Sequence, residues 1–350
     1  MNWALKLEEV RKSYKENSQI SHSLRRHMGV IGQFIVGMLP LAPKFVVKRI
    51  AGRYVAGSDI HSAITLMKEM HKENTCFTID VLGEEITNLD EARFFVEEYS
   101  RVLDAIVKNE IDANISLKPT AFGLLLNRDV AIVNIKEILK KAAINDIFVR
   151  LDMEDHRVTQ ETIDIVLLMQ EMGFENIGTV LQGRLFRTEE DIKKICTLLG
   201  PLSDFRICKG IYLEPQEISH TSYQDIVNAT NDCIDVMLES GSYTAIASHD
   251  YPVINHSLDK LKELQMSFEN DSRINSADSR IGKGSGYEFQ FLLGVRGDLR
   301  RKLSAQGHLT RVYVPYGTKW YEYGIRRIRE NPDIAWHATK TLLFPWTNRR

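Results

Sequence analysis

From residue 75 onward, short apolar runs alternate with longer stretches of helical periodicity, and this alternation restricts the fold more than any other feature of the chain. A chain that repeats strand, helix, strand brings each strand back parallel to the last, because an antiparallel return needs only a short turn. Eight such runs occur: Cys76 to Val81, Ala113 to Leu117, Ile147 to Leu151, Ile177 to Leu181, Phe205 to Cys208, Thr244 to Ala247, Glu288 to Leu292 and Thr310 to Val314. Between most of them lie amphipathic segments such as Asp90 to Val107, Gln160 to Met172, Glu189 to Leu199 and Tyr223 to Glu239, with apolar positions at helical spacing. Eight β units with intervening helices predict a (β/α)8 barrel of the TIM type. With 350 residues, 43% of them hydrophobic, the chain accommodates one barrel of about 250 residues plus an extension. The expected division is an N-terminal helical extension over residues 1–70 and a barrel over residues 75–345.

The polar residues at the run ends point to a site. The runs end in Gly83-Glu84, Lys118, Asp152, Gln182, Lys209 with Tyr212, Ser248-His249-Asp250, Gln290 with Leu292, and Tyr313. Singly, each such residue caps a strand or pairs with a neighbour. In a barrel, however, the C-terminal strand ends form one face, so groups spread from Glu84 to Tyr313 converge on one cavity. Recurrence at the same place in successive units favours a common site.

The stretch from Tyr313 to Pro332 adds an anion clamp. If residues 320–330 are helical, Tyr323, Arg326, Arg327 and Glu330 fall at i, i+3, i+4 and i+7 and share a face. Adjacent guanidiniums repel each other, but a planar carboxylate or phosphate accepts paired hydrogen bonds from them. A small acid is one reading; a solvated basic face paired with Glu322 and Glu330 is the other, and these residues alone leave both open.

Composition and missing motifs narrow the function. A net charge of -2 and a pI near 6.6, without a block of basic residues, give no reason to expect a nucleic-acid partner. Cys76, Cys196, Cys208 and Cys233 lack metal spacing, and no secretory signal opens the chain, which leads us to expect reduced thiols in the cytoplasm. Neither GxGxxG at a strand-to-helix turn nor GxxxxGK[ST] is present, so neither a Rossmann site nor a P-loop is supported. Gly282 to Gly286 reads as a flexible loop, and His249 beside Asp250 is too little for a metal. Met28 to Val47 is apolar but divided by Pro40 and Pro43 and flanked by Arg25, Arg26, Lys44 and Lys48. It falls short of the roughly 20 uninterrupted residues of a membrane span. Two readings are open for it: a hairpin packed on the domain, or peripheral contact with the inner face of a membrane.

Taken together, these motifs resemble the proline dehydrogenase family of flavin enzymes over about residues 75–345. The resemblance rests on Asp80-Val-Leu-Gly-Glu84, Ile115-Ser-Leu-Lys118, Arg150-Leu-Asp152-Met-Glu-Asp, Arg206-Ile-Cys-Lys209-Gly-Ile-Tyr212, Ser248-His249-Asp250, Glu288-Phe-Gln-Phe-Leu292 and the Tyr313 to Pro332 block. It implies a distorted barrel that holds FAD and oxidises L-proline to 1-pyrroline-5-carboxylate, with electrons passed to a quinone. Arg326, Arg327 and Lys118 are then expected to hold the substrate carboxylate, and Tyr212, Tyr323 and Leu292 to enclose the ring. Asp152 is expected to position Lys118, and Glu84 to act as a gate paired with the first arginine. Tyr313 matches a tyrosine expected to limit the space beside the ring, which would favour proline over 4-hydroxyproline. Gln182, Arg206, Lys209, His249 with its neighbour Ser248, and Glu330 match flavin contacts. The chain stops about twenty residues past Glu330, so the resemblance leads us to expect a separate enzyme for the semialdehyde.

The chemistry agrees with that implication. The flavin supplies the redox step while protein cations fix the substrate and an aromatic box keeps water out. Nearby Lys and Arg lower the pKa of the substrate nitrogen, which must lose a proton, and no dedicated base is evident. Three departures from the family pattern bear on affinity: Gln182 is followed by Gly183-Arg184 where the family usually has Ala-Tyr, Leu213 stands where some members have an aromatic, and Phe268 to Tyr287 is long. Two rivals are a cofactor-free aldolase-like barrel with Lys118 as Schiff-base nucleophile and a non-catalytic amino-acid-binding barrel.

Overall fold

A computed structural model of the chain describes residues 52–266, 286–321 and 323. The chain divides into two compact units, Arg53–Trp320 (with the terminal Arg350) and Met1–Gly52 with Tyr321–Arg349. Of the latter only Gly52, Tyr321 and Tyr323 are described. The Met28 to Val47 segment, most of the Phe268 to Tyr287 loop, and Arg326, Arg327 and Glu330 therefore lie outside the described residues.

The larger unit opens with helix α1 (Ile60–His71) and continues as β1 (Cys76–Val81), α2 (Leu89–Lys108), β2 (Ala113–Leu117), a 3-10 turn (Pro119–Phe122), α3 (Arg128–Ile144), β3 (Val149–Leu151), α4 (His156–Glu171) and β4 (Ile177–Gln182). Next come α5 (Thr188–Leu199), β5 (Asp204–Cys208), α6 (Tyr223–Glu239), β6 (Tyr243–Ala247), α7 (Tyr251–Glu263), β7 (Gly286–Leu292), α8 (Gly297–Ala305) and β8 (Thr310–Tyr316). All eight strands pair in sequence order, and β1 closes on β8 with parallel register, Thr78 opposite Tyr313. The expected barrel is what forms, with most strand ends within two residues of the sequence reading. Helix α1 packs its Ala63, Leu66 and Met67 into the same apolar cluster as the barrel strands.

Local signals set the helices. Asn88 accepts a bond from the Asp90 amide while Glu91 reaches back to the Asn88 amide, a reciprocal cap at the start of α2. Asp155 and Ser222 cap α4 and α6 through their side chains, which accept from the Arg157 and Asp225 amides. The helices then cover the outside of the sheet. Phe77, Ile79, Ile115 and Leu117 contribute to one apolar cluster, and Phe205, Ile207, Ile246 and Phe289 to a second. Burying each such side chain contributes roughly 1.5–3 kcal/mol.

The strands alternate even though both faces are buried. In β1, Phe77 and Ile79 join the apolar cluster, whereas Thr78 and Asp80 bond to groups of neighbouring strands inside the barrel. Parallel barrels ordinarily carry near-continuous apolar strands around branched apolar layers. This one fills its interior with ion pairs, and that choice places the site.

Candidate active site

Four acids and four bases inside the barrel form one-to-one pairs: Glu288 with Arg311, Asp204 with Arg150, Asp152 with Arg206, and Asp80 with Lys118. The first two pairs lie low in the barrel. Arg311 donates through Nε to both Glu288 oxygens at 3.0 and 3.1 Å and through Nη1 to the Phe77 carbonyl at 2.7 Å. Arg150 reaches Asp204 Oδ1 at 2.5 Å and the Thr179 and Asp204 carbonyls. It passes over Gly178, where a Cβ would come within 2.6 Å of the Asp204 carbonyl and 3.0 Å of the guanidinium.

The other two pairs meet at the mouth. Lys118 Nζ lies 2.5 Å from Asp80 Oδ1 and 4.0 Å from Asp152 Oδ2. Asp152 Oδ1 accepts from Arg206 Nη1 at 2.6 Å and from the Ser116 hydroxyl at 2.5 Å, and its Oδ2 accepts from the Tyr313 hydroxyl at 2.6 Å. Arg206 also donates through Nε to Gln290 at 2.5 Å and lies over the Tyr313 ring at 5.2 Å. These contacts tie β5 to β2, β3, β7 and β8 across the interior.

The two carboxyls diverge in acidity. Burial acts to raise Asp152, but Arg206 and Lys118, with hydrogen bonds from Ser116 and Tyr313, hold it below the ordinary carboxylate range. Burial wins at Asp80, helped by the Asp152 charge against the pull of Lys118, and its carboxyl is raised. Burial would lower Lys118, yet Asp80 and Asp152 hold its ammonium protonated above the usual range. The Tyr313 phenol is raised by burial and then by the Asp152 charge. The mouth thus keeps fixed cations beside one firmly ionised carboxylate.

Around this centre the remaining expected residues stand at successive strand ends. Gln182 is buried and donates to the Glu154 carbonyl at 2.9 Å. Lys209 pairs with Asp250 and lies 5.0 Å from the Tyr223 ring centre. Ser248 is buried and accepts from the Asp250 amide. His249 Nε2 accepts from the Leu292 amide at 3.0 Å, which fixes the proton of a neutral ring on Nδ1. Glu84 and Tyr212 line a cavity of about 30 Å3 together with Thr120 and Glu154. Tyr323 belongs to the smaller unit.

Two participants escape sequence reasoning as site residues, Asp80 and Ser116, while Gln290, named among the strand-end groups, takes its place beside Arg206. Asp80 is the closest carboxylate to Lys118, where Asp152 alone was expected. A signal existed, since Ser116 precedes Lys118 by two residues and thus shares its side of the strand. Asp80 is a lone charge within an apolar run, and a charge buried there implies a partner.

A family model described as proline dehydrogenase matches residues 63–338. Proline dehydrogenase 1 of Bacillus subtilis subsp. natto is 36% identical over 293 residues, covering 84% of this chain and 90% of the relative. The proline dehydrogenase of Deinococcus radiodurans is 32% identical over 298 residues, with the same two coverages of 84% and 90%. Among solved structures, proline utilization A of Bdellovibrio bacteriovorus inactivated by N-propargylglycine superposes with a TM-score of 0.73 at 20% identity. That alignment covers 90% of this chain and 38% of the longer protein, and it speaks for the fold.

Proposed function

The chain belongs to the proline dehydrogenase family, and on that premise we propose that its barrel mouth binds L-proline beside FAD and passes the electrons to a quinone. The enzyme is an oxidoreductase that oxidises proline in proline catabolism. The observation that carries the finer reading is the paired cluster of Lys118, Asp80, Asp152, Arg206 and Tyr313 at the strand ends.

The residues present fit a dinucleotide with anionic and carbonyl groups. Arg206 within β5, and Gln182, Arg184 and Lys209 at or just past the ends of β4 and β5, supply cations and an amide. Arg184 Nε is enclosed without a hydrogen-bond partner among the described residues, as expected of a donor awaiting an acceptor. Gly210, at φ 95, keeps the approach open where a Cβ would come within 2.6 Å of Gln182. Gln182, Arg206, Lys209, Ser248 and His249, with Glu330, would hold FAD. When bound, FAD supplies the two-electron acceptor for oxidation at C5.

This chain's own residues do the rest. Lys118, with Arg326 and Arg327, receives the substrate carboxylate, which orients the ring. Asp152 fixes Arg206 and Tyr313 and offsets part of the cationic charge that receives the carboxylate. Tyr212, Leu292 and Tyr323 close an apolar box around the ring, Tyr313 limits its size, and Glu84 gates it. The cations lower the pKa of the substrate nitrogen, and the proton leaves before the imine forms. A Schiff-base role for Lys118 needs a neutral amine, and the two carboxylates that raise its pKa oppose that. Among the described residues no helix is long and apolar enough to cross a membrane. A peripheral role for Met28 to Val47 is part of the quinone proposal, and robust quinone turnover by the enzyme without residues 1–60 removes it.

The test is an anaerobic visible spectrum before and after L-proline. A yellow band that bleaches, and fails to do so in Arg326→Met, is expected. Absence of any flavin after reconstitution with FAD overturns the cofactor assignment.

A further inference from the structure

Beside the mouth, Glu154 is a buried carboxyl, 4% exposed, that the proposed reaction does not use. Its Oε2 accepts from the Thr120 amide at 3.0 Å and its Oε1 from the Thr120 hydroxyl at 2.5 Å. The same hydroxyl accepts from the Glu85 amide at 2.9 Å. Glu85 has a left-handed backbone, φ 47, which an ordinary residue adopts only when its surroundings impose it. On the other side of Glu84, Gly83 lies on Phe95, where a Cβ would come within 2.2 Å of the ring. Glu84 is thus suspended between two fixed points, and one of them ends at Glu154.

We propose that Glu154 is a positioning residue that, through the Thr120 hydroxyl, holds the loop carrying Glu84 at the mouth of the barrel. This deepens the proposed function, since it rests on Glu84 gating the proline site. The polarity of the chain makes the tether depend on charge. An ionised Glu154 takes the Thr120 hydrogen, which polarises the hydroxyl oxygen as an acceptor for the Glu85 amide. A protonated Glu154 offers no such pull through its hydroxyl, and the tether slackens.

The charged surroundings are mixed. Lys118 from the end of β2 favours the ionised form and Glu84 opposes it. Asp155 and Arg157 from the start of α4, Glu85, and Tyr212 from the β5–α6 loop line the shared cavity, while Arg157 is itself paired with both Glu85 and Asp155. Gln182 of β4 touches only the Glu154 carbonyl. Burial raises the carboxyl to about 7 against the two Thr120 bonds, so the tether changes state near neutral pH.

Two readouts test this on the full-length enzyme. The first is amide hydrogen exchange of the segment around Glu85, compared between wild type and Glu154→Gln at matched pH. At pH 8 exchange in the variant is expected to be about tenfold faster, on the order of one charge-assisted hydrogen bond, and at pH 6 the two should coincide. Thr120→Val should match the variant and Thr120→Ser should restore wild-type protection. The second readout is binding of the oxygen-ring analogue of proline, which has no nitrogen to titrate. Its affinity should fall several-fold from pH 8 to pH 6 in wild type and stay flat and weak in Glu154→Gln. Unchanged loop protection in Glu154→Gln at pH 8, or in Thr120→Val, overturns the tether whatever the ligand result. Wild type that binds no analogue at either pH counts against the proline site, while loop exchange still decides the role of Glu154.

Discussion

The floor and the mouth of this barrel are built from the same material, two acid–base pairs each, yet they are finished differently. On the floor, Glu288 receives Arg311, the Tyr243 hydroxyl and the Gln290 amide, while Arg311 also caps the Phe77 carbonyl. At the mouth, Asp80 Oδ2 is buried with no hydrogen-bond partner among the described residues, and Asp152 collects four donors or cations on its two oxygens. The closed set around Glu288 specifies one packing arrangement, whereas the uneven set at the mouth keeps electrostatic free energy in reserve for a ligand. The floor should therefore matter for stability and the mouth for binding and turnover.

Arg311→Met gives the largest expected effect. It leaves the fully buried Glu288 charge without its cation, which costs about 3–5 kcal/mol, read as a lower denaturation midpoint at unchanged slope. Adding Glu288→Leu should recover part of the loss. Activity per folded molecule should stay within about twofold, since Glu288, the Phe77 carbonyl and Asn114, which Arg311 bonds, lie below the site. A variant that folds normally but loses turnover would falsify the division between floor and mouth.

Glu154→Gln should act in the opposite direction on stability. Its folded-state pKa of about 7 exceeds the ordinary value of 4.5, so the folded chain binds the proton more tightly than the unfolded one. The resulting stabilisation is fully present below pH 4.5 and is lost as pH rises through 7. At pH 8 wild type carries a buried charge that the amide avoids, so the variant should be more stable there by at most about 3 kcal/mol. Thermal melts from pH 5 to 9 check this, and parallel curves for the two proteins would sink it.

Asp152→Asn moves the other readout. The amide cannot balance Arg206 and Lys118, and the Tyr313 hydroxyl loses a charged acceptor. Misplacement of this order costs about a hundredfold in kcat/KM, with a stability loss of roughly 1–2 kcal/mol because the mouth admits some water. Steady-state kinetics and a denaturant titration on the same preparation separate the two. Equal fractional losses in both would mean that mouth and floor do the same job.

The sequence made the two regions legible to different degrees. Strand existence was readable because outward Phe77, Ile79, Phe205 and Phe289 form apolar runs at regular intervals. The strand-end residues were readable because barrels present those ends to one side. Asp80 and Ser116 were not singled out as site residues, because a polar residue inside a run does not announce which distant strand supplies its partner: Lys118 bonds Asp80 across 38 positions and Arg206 bonds Ser116 across 90. The floor pairs went unread for the same reason, since Arg150 and Asp204 stand 54 positions apart.

A last variant lies outside both regions and calibrates them. Asn88 starts α2, where its side chain accepts from the Asp90 amide at 3.0 Å and Glu91 returns to its own amide at 3.2 Å. Alanine there removes one half of a reciprocal cap, a loss of about 1 kcal/mol. The cap is exposed, so water replaces the lost bond and no charge is stranded. Asn88→Ala should thus lower the melting temperature by a few degrees and leave kcat/KM unchanged. Because Asn88 lies only four residues from Glu84, unchanged turnover would also show that the loop before α2 is held from within the barrel rather than by the helix on its far side. A drop in kcat/KM as large as that of Asp152→Asn would instead make the whole loop part of the mouth and blur the boundary between the site and its frame.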